Sequence, residues 1–530
     1  MTDSTSPAAP SPAAPSPSAP SPTSTSSASA SSAEASAGGP GGYRWRWLIV
    51  AVMLTAEIMD LLDGTIVNVA GPSLESSLGS TPIGLQWVIG GYALSLGAGL
   101  ILGGRLGDRF GRRRMFLVGL AGFTIASLAC ALAPTIGVLI ALRLVQGFAG
   151  AMLLPQGLGL MRENLSGREL GTAFSVFGPV FGLGGIIGPI LGGALIQADV
   201  AGLGWRTVFL VNVPIGIAAF VVSYRIIPRK PGDRSITMDL LGAAIVAAAS
   251  ALLVLPLNYG QSQGWPLWTW LCITASLIGF AVFVLQQRRI SARGGVPLVV
   301  PSLFLKRAYT VGLGGIGLFF AGLVGTQLIL TLFLQLGERF SAGEAGLGNL
   351  PLAIGSAVGG ALSGAFLAEK LGRKVLQFGP LVQLAGAVLL WIELGGVGTS
   401  NTFSIWQIVP GVVLSGIGSG AVIAVLFTSI LGAVDDHEVG SASGVLSAVQ
   451  SIGGSVGVAV FGSVFFHALT QGAASDAYRL ALVIQGGLLV AFLLLSFLFP
   501  KHGQDEGGEW AGESANTGGA TPDTTADITR

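Results

Sequence analysis

The chain has 530 residues, a formal net charge of +1 at pH 7, 51% hydrophobic residues and only 10% charged residues. A soluble domain carries about 25% charged residues, so this composition excludes a water-soluble fold, and the balanced charge gives no reason to expect a nucleic-acid partner. Many apolar runs reach the roughly 20 residues with which a helix crosses a bilayer, whereas the short alternating segments of a membrane barrel are not found. We predict an all-α polytopic membrane protein.

Both ends of the chain differ from the rest in composition. Residues 1–43 consist mainly of Ser, Ala, Pro, Thr and Gly, and residues 501–530 are similarly poor in large apolar side chains. Such segments bury too little surface to offset the entropy of ordering. The first one also lacks the basic start and apolar core of a signal peptide. We expect two disordered cytoplasmic tails.

Between the tails, hydropathy predicts fourteen membrane-spanning helices. Their approximate ranges are 46–70, 82–103, 115–134, 138–160, 170–197, 206–227, 238–258, 266–286, 308–335, 345–368, 375–395, 404–431, 441–468 and 478–499. Lys and Arg concentrate in alternate loops, and the other loops contain only Arg206, Arg339 and Arg479. By the positive-inside rule, both termini are expected in the cytoplasm.

Two motifs occur twice in the chain. "GGRLGDRFGRRRM" at 103–115 matches "GAFLAEKLGRKVL" at 364–376, and the glycines of "GGIIGPILGG" at 184–193 return in "GGSVGVAVFG" at 453–462. Spans 1–6 therefore repeat as spans 9–14 in the same orientation, and spans 7 and 8 have no counterpart. The expected organisation is 6 + 2 + 6: an N-terminal half, two inserted helices and a C-terminal half. The corresponding boundaries are 44–232, 233–300 and 301–500.

Five further stretches stand out as motifs: "LDGTIVNVAGP" at 62–72, "GRLGDRFGRRR" at 104–114, "RLVQG" at 143–147, "GPILGG" at 188–193 and "WRTVFLVNVPIG" at 205–216. Together they resemble signatures of the major facilitator superfamily, specifically its fourteen-helix drug:H⁺ antiporters, the second drug/H⁺ antiporter family. One position departs from the family pattern, because Gly71 stands where the first motif commonly has Leu. We expect this difference to alter only the end of the helix.

The resemblance implies a conformational latch in the loop between spans 2 and 3. Its members are Gly104, Gly107, Asp108, Arg109, Gly111, Arg112 and Arg113. From the residues alone, the glycines permit a tight turn, and Asp108 can cap a helix or pair with an arginine of the loop. A simple positive-inside anchor is the alternative reading of these arginines.

The resemblance also implies an antiporter motif in span 5. Its residues are Gly184, Gly188, Pro189, Gly192 and Gly193. Small residues on one helix face allow close contact with a neighbouring helix, and Pro189 favours a kink. Helix packing without a further role is the alternative. The matching span 13 has Val458 opposite Pro189, so only one half requires the kink.

Span 1 carries three acids, Glu57, Asp60 and Asp63. Each costs about 2.5–3.5 kcal/mol at the centre of a bilayer. At 100° per residue they cover an arc of about 120°, with Asn68 in line with Glu57, and this arc is expected to face a water-filled cavity between the halves. Arg143 in span 4 lies at the depth of Asp63, which predicts a charge pair.

These acids have two interpretations. Asp63 can be a structural strut, and the other two acids can be neutral side chains that are hydrogen-bonded in the core. Alternatively, one or more of them titrates, couples proton movement to transport and attracts cationic substrates. Further residues are candidates to line the cavity, namely Gln86, Trp87, Tyr92, Gln146, Gln156, Asn212, Gln327, Gln335, Gln383 and Glu393.

We therefore predict a proton-coupled exporter of small amphipathic or cationic drugs in a bacterial plasma membrane, functional as a monomer. A transporter of one endogenous metabolite, siderophore or self-made antibiotic is the alternative. No enzyme activity is expected, since no nucleophile–base set occurs. No cofactor or metal is expected besides the proton gradient: the chain lacks a phosphate-binding G-x-x-x-x-G-K-[ST] motif, and Cys130 and Cys272 lie in apolar runs.

Overall fold

The computed structural model describes residues 43–67, 70–165, 167–199, 202–236, 238–260, 263–397, 403–435 and 438–499. Within these ranges every regular element is helical, so the predicted all-α class is confirmed. In chain order the α-helices are α1 (Arg46–Ile66), α2 (Gly71–Leu78), α3 (Pro82–Phe110), α4 (Arg112–Ala131), α5 (Ile136–Gly150), α6 (Leu153–Asn164), α7 (Gly167–Ser175), α8 (Phe177–Ala198), α9 (Thr207–Leu210), α10 (Asn212–Ile226), α11 (Leu240–Tyr259), α12 (Leu267–Ala292), α13 (Arg307–Leu332), α14 (Ala342–Leu362), α15 (Ala368–Leu371), α16 (Val375–Val397), α17 (Ile405–Gly432), α18 (Val439–Leu469) and α19 (Ala474–Ser496). Apart from Tyr43, the predicted tails lie outside the described residues.

Among the described residues, twelve helical segments are long and apolar enough to cross a membrane. Helices α1 and α8 are not among them, although their 21 and 22 residues give them spanning length. The chain is a multi-pass membrane protein, and the count of fourteen spans stays a prediction. The first span is shorter than expected: α1 ends at Ile66 rather than near residue 70, and α2 follows with a proline in its first turn.

The two halves use the same packing. Helix α8 packs on α1, and α18 packs on α13. In each pair glycines allow the approach: a methyl group on Gly188 would collide with Thr65, and one on Gly453 would lie 2.6 Å from the carbonyl oxygen of Gly317. Small residues let membrane helices approach in this way.

The two repeated loop motifs also share their local geometry. Gly111 and Gly372 both have positive φ, 91° and 51°, which favours glycine at these turns. Arg113 donates to the carbonyl oxygen of Tyr224, near the end of α10, at 2.6 Å. Arg373 donates to that of Phe499, just after α19, at 2.7 Å. Each loop is thus fastened to the last helix of its own half.

The halves meet through α3 against α18 and α8 against α14. Near the loop at 103–115 they touch backbone to backbone. A methyl group on Gly104 would collide with the carbonyl of Gly440 and lie 2.9 Å from the Cα of Gly444, and one on Gly360 would collide with the carbonyl of Ser175. This end of the bundle is closed.

The inserted helices do more than join the halves. Helix α11 packs against both α3 and α18, and α12 packs on α11. Tyr259 donates a hydrogen bond to the carbonyl of Gln86 in α3, and Trp265 donates to Ser463 Oγ in α18 at 3.1 Å. Since contacts reach both halves, the pair covers the seam between α3 and α18.

Helices α14 and α17 provide a test of the packing. A methyl group on Gly359 would collide with the carbonyl oxygen of Ile417, so Gly359→Ala should force the two helices apart. We expect a loss of about 1–3 kcal/mol, visible as a lower melting temperature in detergent. Gly432 has nothing within 4 Å of an added methyl group, and Gly432→Ala is the control, expected to change stability by at most about 0.5 kcal/mol. Equal melting temperatures for both variants would contradict the packing described.

Candidate functional site

The three acids of α1 face two different environments. Glu57 and Asp60 line a cavity between the halves. Asp63 is fully buried inside the N-terminal half. The expectation that the whole arc faces the cavity is therefore wrong for Asp63. The three acids span about 120° around the helix, and Asp63, at one edge of this arc, points toward the helices of its own half. Asn68 lies outside the described residues.

Asp63 is the centre of a buried acid cluster that also contains Arg143, Gln146 and Asn212. The predicted ion pair with Arg143 is present. Gln146 Nε2 and Asn212 Nδ2 donate to Asp63 Oδ1 at 2.9 and 2.8 Å. Arg143 also donates to the carbonyl of Val88 at 3.0 Å. Each charge thus has several partners, which a buried ion pair needs to offset its desolvation.

Tyr92 connects this buried acid cluster to the cavity. Its hydroxyl donates to Asp60 Oδ1, and the guanidinium carbon of Arg143 lies 4.1 Å from the centre of its ring. Gly150 leaves room for Asp60, since a methyl group there would lie 2.9 Å from the Asp60 carboxylate. Tyr92 is therefore in contact with both Asp60 and Arg143.

The cavity has a volume of about 180 Å³, which is below the range of about 300–1,000 Å³ typical of small-molecule sites. It lies between α1, α3, α5 and α6 of one half and α13 and α18 of the other. Its lining residues are Glu57, Asp60, Leu61, Leu96, Leu100, Gly150, Leu153, Leu154, Phe320, Val324, Ser447, Gln450, Ser451 and Gly454. None of the further residues expected in the cavity wall is among these lining residues. Gln146 and Asn212 belong to the buried acid cluster instead, and from the C-terminal half Gln327, Gln335, Gln383 and Glu393 were expected but do not line the cavity.

Sequence reasoning missed the C-terminal wall of this cavity. Ser447, Gln450 and Ser451 lie in α18, and Ser447 precedes the other two by about one turn. Spacing of three and four residues places them on one helix face. That spacing of polar residues within an apolar span was the available signal.

An aromatic cluster of Phe174, Phe177, Phe320 and Phe427, called the aromatic floor below, joins the two halves next to the cavity, whose lining includes Phe320. Phe427 stacks on Phe174 with ring centres 5.3 Å apart and meets Phe177 at 5.9 Å and Phe320 at 6.4 Å. All four side chains are buried. Two come from each half, so the floor holds only while the halves are together at this end.

The latch acid Asp108 pairs with Arg105 and Arg112, both at 3.3 Å. Arg112 also binds Glu163 of α6. The Asp108 carboxylate lies directly against Gly440 of α18, where any Cβ would collide with it. The latch acid therefore sits at the contact between the halves.

Two further partners of the latch loop were not predicted. Arg105 donates to the carbonyl of Pro297, after α12, at 2.9 Å, and Arg109 donates to that of Ile236, before α11. The loop is thereby joined to both flanks of the inserted helices. Arg105 could have been found in the sequence, because it stands three residues before Asp108 on the same helix face.

The expectation that the latch glycines all serve a tight turn is wrong for two of them. Only Gly111 has positive φ. Gly104 contacts α18, as described above, and a methyl group on Gly107 would collide with Gln156 of α6. These two glycines lie inside α3 and permit helix contacts.

The antiporter-motif residues lie in α8, next to the buried acid cluster. A methyl group added to Gly188 would collide with Thr65, and one added to Gly192 would lie 2.7 Å from Ile66. Helix α8 therefore contacts α1 directly after Asp63. Gly184, Pro189 and Gly193 lie within the same helix.

The ion pair supports a prediction about stability. Asp63→Asn leaves Arg143 charged and without its carboxylate, which should cost about 3–5 kcal/mol and lower the melting temperature of the purified protein. The double variant Asp63→Asn/Arg143→Gln removes both charges and should recover part of the loss. Glu75→Gln, at an exposed acid of α2, is the control. A single variant as stable as the wild type would show that the pair contributes no stability.

Comparisons with known proteins agree with this architecture. Residues 53–341 match the model of the Major Facilitator Superfamily. The chain is 42% identical over 436 residues to a "Probable actinorhodin transporter" of Streptomyces coelicolor, covering 82% of this chain and 75% of that protein. It is 32% identical over 432 residues to a "Tetracenomycin C resistance and export protein" of Streptomyces glaucescens, covering 80% and 77%.

A solved structure shows the same fold. The crystal structure of the human organic anion transporter MFSD10 superposes with a TM-score of 0.59, covering 86% of this chain and 99% of that one. At 18% identity this likeness concerns the fold alone.

Proposed function

The chain belongs to the Major Facilitator Superfamily, and from that premise we propose that it exports small amphipathic or cationic compounds in exchange for protons. One observation carries the proposal: Glu57 and Asp60 line a cavity between the halves that is closed at one end. Acids within a membrane are expensive and are typically found on substrate and proton pathways.

The proposed topology has fourteen spans. Helices α1 and α8 complete the twelve segments described above, and the halves at 44–232 and 301–500 flank the inserted pair at 233–300. The Arg-rich latch loop faces the cytoplasm by the positive-inside rule, together with both termini. The structure then represents a monomer that is closed toward the cytoplasm.

Exchange follows from competition at the cavity acids. In the outward-facing state Glu57 or Asp60 takes up a proton, which weakens the attraction for a bound cation and releases it. In the inward-facing state the proton leaves to the cytoplasm, and the ionised carboxylate binds the next cation. Tyr92 changes its hydrogen bond with Asp60 at each step and thereby signals the charge to Arg143.

Opening toward the cytoplasm must break two sets of contacts. The aromatic floor has to separate Phe427 from Phe174, and the latch loop has to move Asp108 away from Gly440. Asp108 stays paired with Arg105 and Arg112 within its own half. These ion pairs therefore do not connect the two halves; they hold the carboxylate of Asp108 in place against Gly440 in the closed state.

The test is export from proteoliposomes with an imposed pH gradient, using ethidium and tetraphenylphosphonium as cationic probes. The wild type should export both only when the gradient is present. Glu57→Gln and Asp60→Asn should each lower gradient-driven export by at least about tenfold, equivalent to about 1.4 kcal/mol. Glu75→Gln, outside the cavity, should match the wild type. Undiminished export by both cavity variants would contradict the proposal.

A more specific function is favoured by the relatives. The names of both relatives concern transport or export of one antibiotic, so export of a self-made antibiotic or another endogenous metabolite is the second candidate. A resistance profile in a host lacking its own pumps separates the two. Protection against many unrelated cations supports multidrug export, and protection against a single compound supports the second candidate.

The latch gives a further prediction. Asp108→Asn should abolish export while the protein remains in the membrane, because Arg105 and Arg112 lose their common partner at the closed interface. Arg114→Gln removes one charge from an exposed position of the same loop and should export normally. Wild-type export by a normally expressed Asp108→Asn protein would show that the loop is only an anchor.

A further inference from the structure

Gln450 of α18 occupies the cavity wall formed by the C-terminal half, whereas the acids Glu57 and Asp60 belong to the other half. Its side chain is 6% exposed, and its carbonyl oxygen Oε1 is buried without a hydrogen-bond partner among the described residues. Buried polar atoms nearly always have partners. An unpartnered acceptor on a residue of the cavity wall is suited to bind a hydrogen-bond donor of a ligand.

Resting on the proposed function, we infer that Gln450 is the specificity-determining residue of the cavity: Oε1 accepts a hydrogen bond from an amino or hydroxyl group of the exported compound. The acids of α1 supply charge and proton exchange. Gln450 supplies a neutral contact that recognises a hydrogen-bond donor on the body of the substrate. The two halves thus divide coupling and selection between them.

Other buried amides show what a structural role looks like. Gln156 also has an unpartnered Oε1, but its Nε2 donates to the carbonyl of Gly103 at 2.6 Å, which fixes α6 against α3. Asn212 likewise donates to Asp63. Among the described residues Gln450 makes no such bond between helices. Gln485 of α19 has a buried, unpartnered Oε1 as well, but it is not part of the cavity lining.

The rest of the wall defines the class of substrate. Next to Gln450 stand Ser447 and Ser451, and Ser447 already donates its hydroxyl to the carbonyl of Ser443 at 2.8 Å. Its oxygen is therefore left with acceptor capacity only, like Oε1 of Gln450. Phe320, Val324 and leucines of the first half cover the remaining surface. The site fits an amphipathic, ring-containing compound that carries an amino or hydroxyl donor at its rim.

Two cations distinguish this contact from general packing. Ethidium carries amino groups on its ring system, whereas tetraphenylphosphonium has no hydrogen-bonding group. In proteoliposomes, Gln450→Leu should raise the apparent KM for ethidium by about tenfold, the effect of one lost hydrogen bond. Its export of tetraphenylphosphonium should stay within about twofold of the wild type, because Leu has a similar volume.

Gln485→Leu is the matched control, expected to leave export of both cations unchanged. The melting temperature without substrate is a second readout. Gln450→Leu should have a melting temperature equal to or higher than that of the wild type, because it removes a buried acceptor that has no partner among the described residues. An unchanged KM for ethidium, an equal loss for both cations, or a melting temperature several degrees below the wild type would each overturn the assignment.

The two proposals fail in different ways. If the wild type exports neither cation, the proposed cation export is wrong, and a Gln450→Leu melting temperature several degrees below the wild type would then show that Gln450 is structural. If the wild type exports both and Gln450→Leu does so with wild-type KM values, cation export stands and the selecting role of Gln450 is wrong.

Discussion

The pairing of Asp63 with Arg143 is the interaction on which the rest of the N-terminal half depends. Both side chains are fully buried, and two fully desolvated charges are tolerated only with close contact and additional hydrogen bonds. Those bonds come from Gln146, Asn212 and the carbonyl of Val88. The cluster therefore fixes how α1, α3, α5 and α10 sit relative to one another, with α8 held against α1 by its glycines.

The other two acids of α1, Glu57 and Asp60, are not part of this buried cluster and line the cavity instead. Once Asp63 is turned into the N-terminal half, the helical repeat carries Asp60 and Glu57 to the surface that faces the second half. Asp60 remains connected to the buried acid cluster through Tyr92. Helix α1 thus places Asp63 in a buried ion pair and Asp60 and Glu57 in the cavity wall. Tyr92 contacts both Asp60 and Arg143.

The sequence was sufficient for much of this fold. Hydropathy placed the helices to within a few residues in most cases, because a spanning helix must be apolar over a length set by the bilayer. The depth of Asp63 and Arg143 followed from counting residues along two helices, and the contact between them is present. The positive φ at Gly111 followed from the turn that joins two spans.

Other features could not be predicted because they depend on contacts between distant segments. Asp63 points into its own half, where one of its partners is Asn212, 149 residues away. The roles of Gly104 and Gly107 depend on α18 and α6, which approach them only in the folded bundle. The same holds for Gln450, whose significance comes from an unpartnered oxygen in a shared cavity, and for the contacts of α11 with both halves.

The central claim is that the cavity acids hold the proton that is exchanged for substrate. The most direct measurement is proton release by the purified protein in weakly buffered detergent solution when an exported cation is added. The account predicts release of at least one proton per wild-type molecule that binds substrate, and none from the double variant Glu57→Gln/Asp60→Asn. Equal release by the double variant would place the exchanging proton elsewhere and contradict the account.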